Sequence, residues 1–309
     1  MTGPMQAVVH DPSAPHGLRL RDAPDQQPDP SQALVEVAAI SLNFGEVAFL
    51  ADHAQPGDVS GWDAAGTVAA AAADGSGPAV GTRVVTFGWS GAWGQLRAVD
   101  VGELATLPDG VGFEEAAALP VAAVTALRAV RGLGSVLGRT VLISGASGGV
   151  GRFAVQLASR AGARVIAVVG SPERAEGLAA LGADQVAVGL DGVQGPVEFA
   201  IDNVGGPLLA EILGRLAPGG HAMSVGMASL QPTTVDFEQL RNVAGGSRVQ
   251  AFFVGPDFGP DLAYLVSLLG DGQLDPQIGW RGPWDRVDEA IDALRSRRVA
   301  GKAVLEVRR

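Results

Sequence analysis

The sequence predicts an α/β protein built around a doubly wound parallel sheet, and three observations favour this fold class. Residues 118–255 alternate between short apolar stretches and amphipathic stretches with helical spacing, which is typical of a parallel sheet covered by helices on both faces. Residues 1–117 contain short strand-like stretches joined by Pro- and Gly-rich connections, which indicates a separate β-rich domain. A β-branched strand at 141–144 runs directly into a glycine-dense turn and an amphipathic helix.

The individual elements follow from the same periodicities. In the first block we expect strands at Gln6–His10, Ala33–Ser41, Gly66–Ala73 and Thr82–Phe87. In the alternating block we expect strands at 141–144, 164–169, 185–188, 197–201, 220–225 and 248–254, and helices near 121–134, 149–161, 172–181, 206–216 and 236–243. The last block is predicted to hold helices at Asp261–Leu269 and Asp285–Arg297 and a closing strand at Ala303–Val307. We therefore expect one domain at 1–117, completed by 256–309, and a second at 118–255.

The stretch VLISGASGGVG at 141–151 carries the strongest functional signal. Gly145, Gly148 and Gly151 have the three-residue spacing that a tight βα turn needs when its backbone must approach a pyrophosphate. The following helix offers free N–H groups and a partial positive charge to the anion. The sequence thus predicts a dinucleotide-binding turn, with a purely structural βα turn as the alternative. The residues predicted to contact the dinucleotide in this turn are Gly145, Ala146, Ser147, Gly148, Gly149, Val150 and Gly151.

The end of the second strand bears on which nicotinamide nucleotide is bound. An NAD-binding turn places Asp or Glu there to bind both ribose hydroxyls, whereas this strand ends in Val169 and Gly170 without a carboxylate. Ser171 is expected to cap the next helix and to donate to a 2′-phosphate, and Arg174 is placed to bind that phosphate. The missing carboxylate and the presence of Arg174 favour NADPH, although the negative charge of Glu173 would repel the 2′-phosphate. The alternative is that Ser171 only caps the helix and Arg174 only faces solvent.

Composition excludes several classes of protein. The 309 residues carry a formal net charge of −11, which disfavours binding to nucleic acid or to an anionic membrane surface. We see no signal peptide and no apolar run of the ~20 residues that span a bilayer, so we expect a cytoplasmic protein. The chain has no cysteine, which excludes thiolate zinc sites and disulfides, and its four histidines are scattered. We therefore expect no metal.

Several ordered motifs resemble the zinc-independent quinone oxidoreductases of the medium-chain dehydrogenase/reductase superfamily. They are SLNFGEV at 41–47, SGWDAAGTV at 60–68, GTRVVTF at 81–87, GAWGQLRAV at 91–99, LPDGVGFEEAAALPVAAVTAL at 107–127, ISGASGGVGRFAVQLA at 143–158, DNVGG at 202–206, LAPGGHAMSVG at 216–226 and GKAVLEV at 301–307. The resemblance implies a GroES-like β-rich substrate domain plus a doubly wound Rossmann domain with a parallel sheet, and an active site in the cleft between them. Zinc-dependent relatives need Cys in the first motif and Gly-His-Glu in the second, where this chain has Asn43 to Glu46 and Gly61-Trp62-Asp63.

The resemblance also suggests catalytic residues. It places Asn43 beside the nicotinamide, where the amide would bind a substrate carbonyl or a water; the alternative is an Asn that stabilises a turn. It places Thr125 near the nicotinamide, although this hydroxyl could instead bond back to its own helix. His53 is the candidate proton donor, with a solvated loop histidine as the alternative. We expect Glu46 and Asp63 to tie loops together through backbone N–H groups.

Further contacts are implied by position in the family. At the carboxyl ends of strands, where open α/β sheets bind ligands, the expected cofactor contacts are Asn203, Val204, Ser224 and Gly226. Phe252, Phe253 and Lys302 are additional expected cofactor contacts, and Lys302 is the only lysine in the chain. Trp62, Trp89 and Trp93 are expected to line an apolar substrate pocket, although most aromatic residues are also part of a core.

The sequence therefore predicts an NADPH-dependent reductase of quinones or other α,β-unsaturated carbonyl compounds. The alternatives are an enoyl or enone reductase dedicated to a pathway of the polyketide type, and a redox-inactive regulatory protein that binds NADPH. Val249–Val254 is predicted to be the edge strand of the parallel sheet, through which two chains would pair into a homodimer.

Overall fold

The computed structural model describes residues 4–307, and within these the chain divides into two compact units. Unit 1 consists of the residues up to Val124 together with those from Pro256, and unit 2 is Thr125–Gly255. The first boundary falls inside the helix Pro120–Gly132 because the start of that helix is tied to unit 1, where the Val121 N–H donates to the Asp63 carboxylate.

The described part of the chain forms the following elements. The strands are β1 Met5–His10, β2 Leu18–Ala23, β3 Gln32–Leu42, β4 Asp63–Ala70, β5 Arg83–Phe87, β6 Leu96–Asp100, β7 Leu104–Thr106, β8 Thr140–Ser144, β9 Arg164–Val169, β10 Gln185–Val188, β11 Val197–Asp202, β12 Leu216–Ser224, β13 Arg248–Ala251, β14 Ile278–Pro283 and β15 Lys302–Glu306. The helices are α1 Phe44–Ala48, α2 Leu50–His53, α3 Phe113–Ala117, α4 Pro120–Gly132, α5 Gly149–Arg160, α6 Gly206–Leu213, α7 Phe237–Val243, α8 Gly259–Gly270 and α9 Val287–Arg295. Short 3-10 turns lie at Pro15–Gly17, Val101–Glu103, Pro172–Ala175 and Trp284–Arg286.

Unit 2 is a parallel sheet of six strands in the order β10-β9-β8-β11-β12-β13. This is the doubly wound order, in which the direction of winding reverses between β8 and β11. All five residues of β8 are buried, as expected for a central strand covered on both faces. The predicted parallel sheet is confirmed, and its reversal point places the carboxyl ends of β8 and β11 side by side, where such sheets bind ligands.

Unit 1 is β-rich, as predicted. One sheet has the order β14-β15-β3-β4-β5-β7, with β6 paired to β3, and β1 and β2 form a separate antiparallel pair. The central strand β3 is flanked by β15 and β4, both antiparallel to it. This register brings Ser41, Asp63 and Ala303 to neighbouring positions near one end of the sheet.

The structure corrects one predicted helix and adds elements that local patterns did not reveal. The helix expected at 172–181 is only the 3-10 turn Pro172–Ala175, because Glu176 is non-helical and Gly177 takes a φ of +79°, in the left-handed region. The strand expected at 248–254 ends at Ala251. The elements β2, β6, β7, β14, α1, α2 and α3 were not predicted. They are short, and the sequence of β14 contains both Gly and Pro, which weaken the strand signal.

Candidate functional site

The glycine turn of unit 2 leaves one position open and packs another tightly. Gly145 has a φ of +58°, in the left-handed region that favours glycine. A Cβ at Gly151 would lie 2.3 Å from the Gly145 carbonyl oxygen, so only glycine allows α5 to approach the turn this closely. At Gly148, by contrast, the atom nearest to an added Cβ would be that same oxygen, at 3.4 Å. The surrounding protein thus tolerates a side chain at Gly148, and the helix α5 that follows begins with N–H groups that have no partner within the helix and suit an anion.

The residues predicted at the carboxyl ends of β11 and β12 do come together beside this turn. A Cβ at Gly145 would contact Asn203 and Val204 at 3.3 and 3.2 Å, and one at Gly226 would lie 2.5 Å from the Asn203 carbonyl oxygen. Ser224 is the last residue of β12 and is half-buried. The Asn203 side chain donates to the Ser144 carbonyl at 2.8 Å, while its own Oδ1 is buried without a hydrogen-bond partner among the described residues.

Asp202 holds this edge of the sheet in place, a role that the sequence analysis missed. Its fully buried carboxylate accepts from the Ser144 hydroxyl at 2.5 Å and from the Gly205 N–H at 2.7 Å, and burial raises its pKa. Its backbone carbonyl accepts the N–H groups of Val225 and Gly226. The Asp202 side chain and carbonyl therefore join the loops that follow β8, β11 and β12.

The turn after β9 differs in detail from the prediction. Ser171 does not cap the 3-10 turn with its side chain; its hydroxyl instead hydrogen-bonds the Glu173 carboxylate, which lowers the pKa of that group. A side chain at Gly170 would meet open space. Arg174 is half-buried in the same turn. The buried Arg152 of α5 donates to the carbonyls of Ser147 and Glu176, and so connects this turn to the glycine turn.

Unit 1 contains a group of hydrogen-bonded buried side chains that we call the buried polar cluster: Ser41, Asn43, Glu46, Asp63 and Lys302. Lys302 Nζ donates to the Leu42 carbonyl at 3.0 Å, to Asn43 Oδ1 at 2.6 Å and to Asp63 Oδ2 at 3.3 Å. Asn43 Nδ2 donates to Asp63 Oδ2 at 2.8 Å and to Glu46 Oε1 at 3.2 Å. The cluster places two carboxyl groups and one ammonium group out of contact with water.

Glu46 and Asp63 both accept backbone N–H groups, which confirms the expectation that they tie loops together. Glu46 accepts from Asn43 at 2.5 Å and from Trp62 at 2.9 Å, and Asp63 accepts from Val121 at 3.1 Å. Burial, and then the neighbouring Asp63 carboxylate, raise the pKa of Glu46 to about 8, although Lys302 and the two N–H donors oppose this shift. Glu46 is therefore largely protonated at neutral pH.

These contacts bear on two predicted site residues. Both amide hydrogens of Asn43 are directed at carboxyl groups of the cluster, so donation to a substrate carbonyl would require breaking one of these bonds. Lys302 was expected to contact a cofactor, but it is 2% exposed and its three donor positions each meet an acceptor of unit 1. The observed geometry fits positioning roles for both.

The three tryptophans predicted to line a pocket do surround one cavity of unit 1, but in different ways. The cavity has a volume of about 50 Å³, and its lining includes Trp62, Trp89, Trp93, Glu46 and Ser60. Trp93 is 1% exposed and its indole N–H donates to the Ser41 carbonyl, so it is a core residue that also forms a wall. Trp89 is 53% exposed and meets Trp62 edge to face, with ring centroids 5.1 Å apart.

The remaining predicted residues are placed as follows. Thr125 is buried within α4. His53 ends α2, but its side chain lies outside the described part of the structure, so its role stays a prediction. Phe252 follows β13 and continues the ladder through its N–H to the Ser224 carbonyl, whereas Phe253 is 80% exposed.

One contact of the site could have been predicted from the sequence alone. Asn43 and Glu46 have the N-x-x-E spacing of a helix-capping box, and this spacing indicates the contact between the two residues.

Neither a metal centre nor a membrane span is found in the described part of the chain. Among the described residues, no group of three or more His, Cys, Asp or Glu side chains could hold a metal ion. In the same residues, no helix combines the length and apolar character needed to cross a membrane.

The residues of unit 2 fit a dinucleotide. The N-terminus of α5 suits a phosphate group; a Cβ at Gly148 would meet the Gly145 carbonyl oxygen only at 3.4 Å, and one at Gly170 would meet open space. The unpartnered Asn203 Oδ1 offers a hydrogen-bond acceptor beside the same turn.

Two protein-family models match the chain. "Alcohol dehydrogenase GroES-like domain" matches residues 29–128, and "Zinc-binding dehydrogenase" matches residues 149–269. The chain is 34% identical to a quinone oxidoreductase of Pseudomonas aeruginosa, over 94% of this chain and 96% of that protein. It is 33% identical to the acrylyl-CoA reductase AcuI of Ruegeria pomeroyi, over 76% of this chain and 71% of that protein.

Similarity extends to much larger proteins. Erythronolide synthase EryA2 of Saccharopolyspora erythraea is 32% identical over 97% of this chain, but the chain spans only 9% of that protein's length. Among solved structures, the quinone oxidoreductase of Coxiella burnetii has a TM-score of 0.87 at 26% identity, with 99% of this chain and 100% of that chain covered. A mycobacterial protein complexed with NADPH has a TM-score of 0.86 at 27% identity, and the match covers 98% of this chain and 99% of that chain.

Proposed function

The chain belongs to the medium-chain dehydrogenase/reductase superfamily, and on that basis we propose that it is an NADPH-dependent reductase of quinones or other α,β-unsaturated carbonyl compounds. The observation that carries the proposal is the glycine turn, open at Gly148 and closed at Gly151, at the carboxyl end of the parallel sheet. A bound nicotinamide nucleotide would supply the hydride. The protein would hold its phosphates at the N-terminus of α5 and keep the nicotinamide beside the loops joined by Asp202.

The choice of acceptor is supported by relatives of two kinds. One similar protein carries the name quinone oxidoreductase and another the name acrylyl-CoA reductase, and both acceptors hold a carbonyl group conjugated to a C=C bond. The indole rings around the cavity of unit 1 suit one end of a flat, apolar acceptor. A decisive assay is NADPH oxidation by the purified protein with a panel of quinones, enones and enoyl thioesters. Failure to oxidise NADPH with any of them, despite nucleotide binding, would instead favour the regulatory alternative.

The preference for NADPH rests on the turn after β9. The strand ends without a carboxylate, and Arg174 stands in the turn where a 2′-phosphate would lie. Glu173, held by Ser171, works against this preference. Arg174→Ala should raise the Kd for NADPH by about tenfold while leaving the Kd for NADH unchanged. Arg160→Ala, at the far end of α5, is the control, and equal weakening of both nucleotides would contradict the assignment.

We also propose that the reaction needs no metal. The chain has no cysteine, and Trp62 and Asp63 replace the His and Glu that zinc-dependent relatives use. Activity should survive prolonged chelation, and elemental analysis should find less than one zinc per chain. Loss of activity that added zinc restores would contradict this.

One observation favours a second candidate, an enoyl reductase dedicated to a pathway of the polyketide type. The similarity to EryA2 covers 97% of this chain, and a polyketide synthase, GfsB of Streptomyces halstedii, is 30% identical over 89% of it. The assay panel separates the two candidates, because a pathway enzyme would turn over enoyl thioesters far better than simple quinones.

A further inference from the structure

The cavity of unit 1 contains a polar group without a partner. Ser60 lines the cavity, is 6% exposed, and its hydroxyl makes no hydrogen bond to any described residue. Its backbone is fixed on both sides, since its N–H donates to the Val8 carbonyl at 3.0 Å and its carbonyl accepts the Trp93 N–H at 2.8 Å. These two bonds fix the backbone of Ser60 at the cavity wall.

A buried hydroxyl that lacks a partner lowers stability, so proteins retain such groups where a ligand or an ordered water completes the bond. The residues that line the cavity around Ser60 limit the kind of ligand that fits there. Three indole rings make the walls apolar, and the Glu46 carboxyl contributes the second buried polar group of the lining. The other carboxylate of the lining, Asp58, is exposed and accepts the Gln55 N–H at 2.8 Å.

We propose that the Ser60 hydroxyl donates a hydrogen bond to the carbonyl oxygen of the acceptor, whose carbonyl end enters the cavity between the indoles of Trp62, Trp89 and Trp93. This inference rests on the proposed reductase function and names the group that orients its substrate. The reduction adds one hydride from the reduced nucleotide to the conjugated C=C–C=O system and one proton from water. As the hydride arrives, negative charge builds on the carbonyl oxygen, and a donor already aimed at that oxygen stabilises it.

Size and charge both agree with this assignment. A volume of about 50 Å³ holds roughly three to five water molecules, which is enough for a carbonyl and the few atoms next to it. An ionised carboxylate buried in the cavity would repel the developing charge, whereas the exposed Asp58 is screened by water. Burial and Asp63 raise the pKa of Glu46 to about 8, so this carboxyl is mostly neutral at pH 7 and does not oppose the reaction.

The test compares Ser60→Ala with Ser135→Ala. Ser135 is an exposed residue of unit 2 that does not line the cavity, so water satisfies its hydroxyl. With 1,4-benzoquinone and 2-cyclohexen-1-one as acceptors, kcat/KM should fall at least about tenfold in Ser60→Ala and stay within about twofold in Ser135→Ala. The Kd for NADPH should not change in either variant, and the Tm of Ser60→Ala should not fall, because the hydroxyl has no bond to lose within the protein.

Two outcomes would overturn the proposal: unchanged kcat/KM in Ser60→Ala, or a fall in its Tm with an equal loss toward every acceptor, which would mark a structural hydroxyl. A binding experiment separates this inference from the proposed function. Cyclohexanone, which offers a carbonyl but no reducible C=C bond, is titrated against tryptophan fluorescence without nucleotide. A weaker Kd in Ser60→Ala than in wild type supports the proposal even if no acceptor is turned over. An equal Kd, or no binding by the wild type, overturns it even if turnover is observed.

Discussion

Gly148 and Gly151 lie three residues apart in one turn, but an added Cβ would meet different surroundings at the two positions. At Gly151 a Cβ would lie 2.3 Å from a carbonyl oxygen and 2.6 Å from the Ala146 Cα, so the backbone itself needs glycine. At Gly148, with a φ of −81°, a side chain fits both the backbone conformation and the protein around it. The packing around Gly148 does not require glycine, so we attribute glycine at this position to the proposed nucleotide.

Gly148→Val should therefore abolish nucleotide binding without unfolding the protein. We expect the Kd for NADPH to rise at least about tenfold, since the branched side chain fills the path of the pyrophosphate, while the Tm stays close to that of the wild type. Gly151→Ala is the matched comparison and should lower the Tm strongly, because its Cβ overlaps backbone atoms. Retained NADPH affinity in Gly148→Val, measured by titration, would mean that the turn serves packing alone.

The raised pKa of Glu46 should make the free energy of unfolding decrease as pH rises, whereas a carboxyl group with a lowered pKa has the opposite effect. Its pKa is raised from 4.5 to about 8, so between these values the native protein holds a proton that the unfolded chain has released. The free energy of unfolding should then fall as pH rises through this window, by about 1.4 kcal/mol per pH unit. Urea unfolding at several pH values should show this slope in wild type and lose it in Glu46→Gln. Glu103→Gln, which also removes a carboxylate that accepts two backbone N–H groups, should keep it.

At the scale of elements, the buried polar cluster joins parts of unit 1 that are far apart in sequence. Asn43 precedes α1, Asp63 begins β4 and Lys302 begins β15. These strands are already paired through β3, and the cluster adds side-chain bonds at one end of the paired region. Its carboxyl groups are stabilised by Lys302, by the other polar side chains of the cluster and by the N–H groups of Trp62 and Val121, so removing the only ammonium group should weaken the junction.

Lys302→Met tests this dependence. Methionine fills a similar volume but leaves the fully buried Asp63 without its cation and Asn43 Oδ1 without its donor, so unfolding should become about 3–5 kcal/mol easier. Adding Asp63→Asn should recover part of this loss, because the uncompensated charge is removed. Chemical denaturation of the single and double variants measures the coupling. Strictly additive losses would show that the two side chains act independently.

At the scale of the whole molecule, β13 is the edge strand through which the sequence predicts that two chains pair. It pairs with β12 alone in the described sheet, and all four of its residues are exposed. The exposed hydrophobic residues Phe237 and Phe253 flank this strand in the chain. A strand with one unpaired edge favours pairing with the same strand of a second copy about a two-fold axis, and a homodimer remains our prediction.

The sheet provides its own control for this prediction. Val249 on β13 and Val188 on β10, the opposite edge, are both 47% exposed. Val249→Asp should shift the molar mass measured by light scattering from dimer to monomer at micromolar concentration, whereas Val188→Asp should leave it unchanged. A monomeric wild type, or a dimer that tolerates Val249→Asp, would contradict pairing through β13.

Local sequence patterns were sufficient to predict a parallel sheet covered by helices on both faces and the glycine turn of unit 2. Apolar residues repeat with the period of each element, and the glycines stand within a single turn, so neighbouring positions carry the whole signal. The same patterns did not reveal where helices stop, as at 172–181, because Gly177 acts through its backbone conformation. The family resemblance led to the expectation that Lys302 contacts a cofactor, and only the folded chain shows that its ammonium group meets Leu42, Asn43 and Asp63.

The environment of the polar side chains, by contrast, depends on how distant segments pack. Asn43 lies 20 residues from Asp63 and 259 from Lys302, and no periodicity links positions so far apart. The pairing of β3 with β4 and β15 brings these residues together, excludes water from them and thereby raises the pKa of Glu46. Ser60 likewise owes its unpartnered hydroxyl to its backbone bonds with Val8 and Trp93 and to the indoles around the cavity. Burial arises from contacts between distant segments, and so the chemistry of these groups became visible only in the folded chain.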